Sequence, residues 1–388
     1  MNKLKVSVFF LLLCWGGAVS AQIAEASPVP EALFEERLSA LEGKLQQMAD
    51  KQKYVPQIHG ILRGKYEYEP DLGASRFEVR NARLSADGTL SLRSSYKLEV
   101  DLCDESAIKM KDAWVRVNPI STLRITLGQQ RMPFSIDAHR NPSAQYFANR
   151  SFIAKQVGDM RDVGAAVGYS PLLTSPRGGK IEMHFDAGIY NGSNLDNQKS
   201  AWFTSPAYSA RAQFIYTSPR GGRVGAVPSV QHQLIANREA SYMSIDFGAY
   251  YETGGLHIEA EYLRKFYAKH AFDPCNAFNA MAIYKTPLKK TGYLNGLSCL
   301  LRYDYMDNHS DGKKGFSAPL PSEAEHPAQR LLMSDAQRHR LTAGLTFHVA
   351  NPYFPTDIRL NYEKYWYPHG GAKESEQDKL VAELMIRF

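Results

Sequence analysis

From Gln57 to the last residue, apolar side chains recur at every second position in segments of about ten residues. In the final segment one parity is apolar and consists of Leu380, Ala382, Leu384, Ile386 and Phe388. The other parity carries the charged residues Lys379, Glu383 and Arg387. Because side chains of a strand alternate between its two faces, each segment predicts a β-strand with one apolar and one polar face.

Sixteen such segments can be counted along the chain, and the terminal segment is the sixteenth. They predict an all-β fold, a transmembrane antiparallel β-barrel of about 16 strands around a water-filled lumen. A secreted β-sandwich is the alternative, because alternation requires only that one face of each strand is buried. The repeated charges on the second face and the terminal aromatic residue, Phe388, favour the barrel.

The N-terminal segments have a different pattern. A basic start and the apolar run from Val6 to Val19 precede Val19-Ser20-Ala21, which predicts a signal peptide over 1–21. In the predicted periplasmic leader, 22–56, an apolar stripe with alternating spacings of four and three is formed by Phe34, Leu38, Leu41, Leu45 and Met48. The stripe predicts either a short coiled coil or a short helix packed on its own barrel. The barrel itself is expected over 57–388.

Charge and motifs exclude several classes of function. The formal charge of +6 falls to +4 when Lys3 and Lys5 leave with the signal peptide, which is too weak an excess to indicate nucleic-acid binding. The sequence has no His pair at metal-binding spacing, no Gly-x-Ser-x-Gly and no phosphate-binding Gly-rich loop. We therefore expect no catalytic residues, no metal and no cofactor, and a protein that is not an enzyme.

One segment, 128–162, is too long for a hairpin loop and has no periodicity, which is typical of a functional loop. Its cationic residues outnumber its three aspartates by two and are Arg131, Arg140, Arg150, Lys155 and Arg161. Folded into a lumen, this loop would narrow the pore and make it positive. Cations predicted on the wall would extend the anion pathway: Arg80, Lys97, Lys109, Lys111 and Arg124.

An alternative interpretation is open for each of these cations. A channel lumen is lined by solvated charges in any case, and several of the cations are expected to pair with Glu99, Asp101 or Asp112. Arg161 in particular could pair with Asp159 or Asp162 and pin the loop to the wall. The parity also breaks between Ile108 and Val117, which predicts a β-bulge near Asp112.

Four stretches together resemble the phosphate-selective porin O and P family of Gram-negative outer membranes. They are Phe77–Leu84 with Tyr96–Asp101, Ile108–Val115, Leu127–Ser135 with Arg150-Ser151 and Gly158–Gly164, and Ile258–Arg264. The resemblance implies a trimer of sixteen-stranded barrels, each with a long third loop folded into the pore and basic side chains that favour anions. Asn81 departs from the pattern, which commonly has another Arg there.

These observations predict a passive-diffusion porin that prefers phosphate-like anions, located in the outer membrane of a Gram-negative bacterium. A surface-binding or adhesion barrel with little conductance is the alternative, because several polar connections are long. The expected partners are outer-membrane lipid and lipopolysaccharide, small anions, two further copies in a homotrimer, and the barrel-assembly machinery through the strand that ends at Phe388.

Overall fold

The computed structural model describes residues 39, 40, 42, 43, 54–103, 108–158, 160–174, 178–192, 195, 202, 205–235, 240–288, 293–313, 330–351 and 353–388. The four residues between 39 and 43 are helical. The predicted signal peptide and all five residues of the predicted apolar stripe lie outside the described residues. Residues 54–388 form one compact unit.

This unit is a single antiparallel sheet, which has seventeen strands in the part of the chain that the structure describes. The strands are β1 Gln57–Glu69, β2 Ala74–Ser91, β3 Ser94–Asp101, β4 Lys109–Ile120, β5 Leu123–Arg131, β6 Arg161–Tyr169, β7 Leu172–Thr174, β8 Lys180–Tyr190, β9 Ala207–Thr217, β10 Arg223–Ile235, β11 Ala240–Thr253, β12 Leu256–Tyr267, β13 Cys275–Pro287, β14 Leu294–Met306, β15 Arg338–Val349, β16 Thr356–Trp366 and β17 Lys379–Arg387.

The sheet closes on itself between β1 and β17. Ile61 lies opposite Arg387, and the ladder continues to the final residue, where Gly60 and Phe388 exchange backbone hydrogen bonds of 2.7 and 3.0 Å. The short β7 pairs with β8 beside β6, so β6 and β7 together occupy one strand position in the barrel wall. The result is a closed barrel with sixteen strand positions, which confirms the predicted fold class.

The two faces of each strand have the polarity of a membrane barrel. On β17, Leu380, Leu384 and Phe388 are exposed, whereas Lys379 and Glu383 are buried. An apolar outer face over a polar lumen is the reverse of a soluble protein and suits a lipid environment. Among the described residues, no helix is long and apolar enough to cross a membrane.

Connections differ in length between the two ends of the barrel. Both chain ends of the barrel lie at one end, here called the turn end, where short connections such as 218–222 and 254–255 join the strands. Longer connections, including 268–274, 307–337 and 367–378, lie at the opposite end, here called the loop end. Between β5 and β6 the chain instead enters the barrel, and residues 132–160 are here called the inner loop.

The inner loop is shorter than the predicted 128–162. The residues that the sequence places at the two ends of the loop belong instead to β5 and β6, because Gly128 pairs with Gly164 and Arg131 with Arg161 in the β5–β6 ladder. Gly128 has φ +126°, and a Cβ there would lie 2.3 Å from the Ala113 carbonyl oxygen on β4. Only glycine fits this close backbone contact, so Gly128 allows β5 to approach β4 closely just before the inner loop.

Apolar side chains on one side of the inner loop form a hydrophobic core inside the lumen. Phe134, Phe152 and Ile153 are fully buried, and they pack against lumen-facing Leu263 and Met306. Burial of each such side chain contributes about 1.5–3 kcal/mol. The loop is therefore fixed by packing against the β11–β16 side of the wall.

Candidate permeation pathway

Backbone carbonyls of the inner loop receive hydrogen bonds from arginines of the wall. Arg63 on β1 donates to the Ala148 oxygen at 2.8 Å, and Arg340 on β15 donates to the Arg150 oxygen at 2.6 Å. Arg302 and Arg359 bond the carbonyls of Asn149 and Gln145 in the same way. These four carbonyls lie between the two short helices of the inner loop, the 3-10 helix Pro142–Ala144 and the π-helix Ala154–Gly158, so they need such donors. These wall arginines hold the loop in place.

Carboxylates beside these arginines balance their charge. Glu383 on β17 accepts from Arg63 at 2.6 Å and from Arg359 at 2.7 Å. Asp304 on β14 accepts 2.8 Å bonds from Arg302 and Arg340. Both carboxylates are fully buried, so each pair of guanidinium groups shares one buried anion. Buried charges of this kind are tolerated because they are paired and hydrogen-bonded.

The first turn of the inner loop is anchored on β9, β10 and β12. Ser135, with φ +64°, bonds Ser229 through its nitrogen and Arg211 through its oxygen, both at 3.0 Å. Arg140 bonds Asp137 within the loop at 2.6 Å and Glu259 on β12 at 2.5 Å. Arg140 therefore stabilises the loop, and it lines neither of the two cavities described below.

Asp137 lies at the centre of this anchor. It accepts from the Ser151 hydroxyl at 2.6 Å as well as from Arg140. Burial by itself would raise the pKa of Asp137, but Arg140, Arg302 and the Ser151 bond hold it below its usual value. The carboxylate therefore stays ionised and ties the two ends of the inner loop together.

A cavity of about 470 Å³, here called the loop-end cavity, lies on the loop-end side of the inner loop. Seven cationic and three acidic side chains are among its described lining residues. The cations are Lys65, Arg76, Arg80, Arg150, Lys155, Arg340 and Lys379, and the acids are Glu67, Glu78 and Glu376. The excess of four positive charges makes this space favourable for anions.

A second cavity, here called the turn-end cavity, has a volume of about 440 Å³ and lies between the inner loop and strands β3–β8. Its charged described lining residues are the cations Lys97, Arg116, Arg124 and Arg131 with the acids Asp112 and Asp186. Arg124 bonds Asp186 at 2.5 Å, and Arg131 donates to the His139 carbonyl at 2.9 Å. The two cavities on either side of the inner loop are thus both net positive.

Between the two cavities, β1–β4 and β6 carry buried charged and polar residues, here called the charge belt. Its members are Arg63, Asn81, Arg83, Glu99, Asp101, Asp112 and Arg161. Arg161 bonds Asp112 on β4 at 2.9 Å and lies 3.7 Å from Glu99 on β3. It therefore fixes the end of the inner loop to the wall.

Asn81 joins two halves of the charge belt. Its amide donates to Asp101 at 3.0 Å and its oxygen accepts from Arg63 at 3.3 Å. The position that departs from the family pattern thus carries a neutral bridge between a wall arginine and a wall aspartate. Lys97 extends the belt to the turn-end cavity by bonding Glu99 at 2.8 Å and Asp112 at 3.3 Å.

Two predicted pathway residues occupy β-bulges. The β1–β2 register skips Arg80, and the β3–β4 register skips Lys111, next to Asp112 where the sequence predicts a bulge. The Gln129 amide bonds the carbonyls of Met110 and Lys111 there, at 2.7 and 3.0 Å. A bulge re-aims its side chain, and Arg80 is turned into the loop-end cavity.

The structure groups most of the predicted pathway residues. Arg80, Arg150 and Lys155 meet at the loop-end cavity, and Lys97, Arg124 and Arg131 meet at the turn-end cavity. Arg161 lies in the charge belt, while Lys109, Lys111 and Arg140 line neither cavity. Sequence reasoning missed five lining cations: Lys65, Arg76, Arg116, Arg340 and Lys379. Their parity predicts a lumen-facing side chain, but only the register sets their height in the barrel.

Comparison with protein families identifies part of the chain. Residues 64–221 match the family described as phosphate-selective porin O and P. This matched segment belongs to that porin family. It contains β2–β6, the inner loop and most of the residues of both cavities, and the resemblance expected from the sequence is confirmed. No curated protein sequence matches this porin.

Solved structures of other outer-membrane proteins have the same fold. An anion-selective porin from Comamonas acidovorans has 14% identity and a TM-score of 0.55, with 86% of this chain and 98% of that chain covered. Salmonella typhi OmpF, in complex with daunomycin, has 12% identity and a TM-score of 0.57, with 87% and 99% covered. Vibrio cholerae OmpT, described as its trimer form, has 11% identity and a TM-score of 0.51, with 86% and 98% covered. The family and the barrel together make this protein an outer-membrane channel of the porin type.

Proposed function

We propose that this porin lets small hydrophilic solutes diffuse across the outer membrane and prefers anions, phosphate-like ones included. The observation that carries the proposal is the charge of the loop-end cavity, where seven cations face three carboxylates among the described lining residues. The turn-end cavity adds four cations against two carboxylates. A solute that passes the inner loop from either side therefore crosses a positive potential, which concentrates anions.

Partly exposed and fully buried cations serve different purposes along this route. Lys155 and Arg80 project into the loop-end cavity with about two fifths of their side chains exposed, so they can contact a passing anion. Arg63, Arg302 and Arg340 are almost fully buried and bonded to the inner loop. We assign anion contact to the first group and loop positioning to the second.

The decisive experiment is a reversal-potential measurement in planar bilayers. With a tenfold KCl gradient across the purified, refolded porin, the potential should have the sign of chloride preference. Added phosphate should then lower the chloride current, because both anions compete for the same cations. A cation-selective potential would overturn the anion preference, and an absence of channels would favour the surface-binding alternative.

We also propose a homotrimer, which the trimer form of the structurally similar OmpT supports. The remaining expected partners are outer-membrane lipid, lipopolysaccharide and, through Phe388, the barrel-assembly machinery. The Phe388 ring lies over Gly60, since a Cβ at Gly60 would be 2.0 Å from it. Chemical crosslinking of the porin in native membranes tests the trimer, and a monomer as the sole species would contradict it.

A further inference from the structure

A third cavity, here called the side cavity, lies at the turn end among strands β10–β17 and has a volume of about 570 Å³. We propose that it binds an organic anion with an apolar body, such as an aromatic monocarboxylate. The proposal rests on the proposed preference for anions and adds a site and a substrate class to it. Its volume falls within the roughly 300–1,000 Å³ that is typical of small-molecule sites.

One wall of the side cavity is apolar, although it faces the lumen. Ile283 and Leu300 on β13 and β14 are nearly fully buried and form a cluster with Phe147 and Met281. Tyr146 of the inner loop packs on this cluster and also lines the cavity. Such a surface offers little to inorganic phosphate, but it can pack against the ring or chain of an organic solute.

Beside this apolar wall, on the neighbouring strands and on the inner loop, lie three buried polar groups. Thr346 and Arg359 lie directly opposite each other on β15 and β16, and Gln145 of the inner loop is bonded to Arg359. Thr346 Oγ1, Arg359 Nε and Gln145 Nε2 each have no hydrogen-bond partner among the residues that the structure describes, and all three residues are more than nine-tenths buried. Each of these groups can donate a hydrogen bond, so together they match the oxygens of a carboxylate.

The charge of the side cavity also favours an anion. Its two carboxylates are already paired: Asp357 with His348 and Arg387, at 2.6 and 2.7 Å, and Glu252 with Arg223, at 2.9 Å. Two further cations of the lining are the exposed Lys285 and Arg359, which shares the single carboxylate of Glu383 with Arg63. A carboxylate bound near Arg359 would therefore meet an excess of positive charge, with its apolar body on Leu300.

The site can be probed with 4-fluorobenzoate in a ¹⁹F NMR titration of the full refolded porin in detergent. We expect saturable binding of 4-fluorobenzoate. Fluoroacetate, which lacks the ring, and 4-fluorobenzyl alcohol, which lacks the charge, should each bind about tenfold more weakly or not at all. Equal binding of 4-fluorobenzoate and fluoroacetate, or no saturable binding, would overturn the proposal.

Two substitutions locate the binding. Thr346→Val removes the hydroxyl without changing the side-chain shape and should weaken 4-fluorobenzoate binding about tenfold, because a hydrogen bond to a charged group is lost. Ile283→Thr makes the apolar wall polar and should also weaken it. Thr342→Val is the matched control, since Thr342 on the same strand is equally buried, has an unpartnered hydroxyl and lies outside the side cavity. Loss of binding in Thr342→Val but not in Thr346→Val would place the site elsewhere.

The two proposals fail separately. If the reversal potential has the sign of chloride preference while 4-fluorobenzoate does not bind, only the side-cavity proposal is wrong. If the channel prefers cations, the proposed function is wrong, and the NMR titration still decides whether the side cavity holds an aromatic carboxylate.

Discussion

Arg340 on β15 donates a 2.6 Å hydrogen bond to the backbone carbonyl of Arg150 in the inner loop. The same guanidinium group bonds Asp304 on β14 at 2.8 Å and lies 4.6 Å from the centre of the Phe152 ring. One side chain therefore connects the wall, a buried anion and the apolar core of the loop. We expect the position of the loop, and with it the width of the pore, to depend on this connection.

We expect Arg340→Met to loosen the inner loop. The substitution leaves the Arg150 carbonyl with only the 3.4 Å bond from Arg302, and Asp304 also with only Arg302, at a cost of about 2–3 kcal/mol. Single-channel recordings should show larger open-state current fluctuations, and urea unfolding in detergent should show the lower stability. Arg76→Met is the control, because Arg76 lines the same cavity but its side chain is half exposed and bonded to Glu67 of the wall. Equal fluctuations in the two variants would contradict this role of Arg340.

The sequence predicts the barrel well because the alternation of apolar and polar residues is contained within each strand's own sequence. The parity of Leu380 to Phe388 is found as expected, and closure occurs at Phe388 through Gly60. The register between neighbouring strands cannot be predicted in this way. It depends on bulges such as those at Arg80 and Lys111, and one skipped residue changes which side chains lie at the same height in the barrel.

The inner loop shows the second limit of prediction from the sequence. Its length and charge indicate a constriction, but its contacts with the wall involve side chains that are distant in the sequence, such as Arg211, 76 residues from its partner, and Arg359, 214 residues from its partner. The sequence predicts Arg140 to be a pore cation, but in the fold its side chain is bonded to Glu259 on β12. Similarly, nothing local to Phe152 indicates that Leu263 and Met306 complete an apolar core inside a polar lumen.

Anion preference should respond to single charges in the loop-end cavity. We expect Arg80→Gln to lower the chloride-to-potassium permeability ratio, since it removes one of the four excess positive charges of the described lining residues. Reversal potentials at low salt would reveal it, because screening is then weakest. Arg264→Gln removes the same charge from the exposed outer face and should leave the ratio unchanged. An equal effect of both substitutions would assign the preference to overall charge instead of the cavity.

The contact between Lys155 of the inner loop and Glu376 of the 367–378 connection should withstand mild acid. Burial alone would raise the pKa of Glu376, but Lys155, Arg338 and the Lys155 hydrogen bond lower it to about 2. A lowered pKa means that the stabilisation is present above the unfolded-state value, about 4.5, and is lost as pH falls towards 2. The attachment should therefore stay intact between pH 7 and pH 4.

Glu376→Gln provides the comparison for that pH range. It should increase open-state fluctuations at every pH, because Lys155 loses its charged partner. The wild type should not acquire these fluctuations between pH 7 and pH 4. If they appear near pH 4.5 in the wild type, Glu376 titrates normally and the Lys155 contact does not hold its charge.

Gly128 should be the least replaceable residue at the root of the inner loop. In Gly128→Ala the new Cβ would lie 2.3 Å from the Ala113 carbonyl oxygen, at a φ of +126° that other residues rarely adopt. We expect a loss of roughly 3 kcal/mol from backbone strain alone, with the β4–β5 pairing disturbed as well. Gly64→Ala on β1 is the matched control, because a Cβ there meets nothing within 4 Å and φ is ordinary. Guanidinium unfolding of both refolded variants measures the difference, and equal midpoints would show that β5 does not need glycine at its close contact with β4.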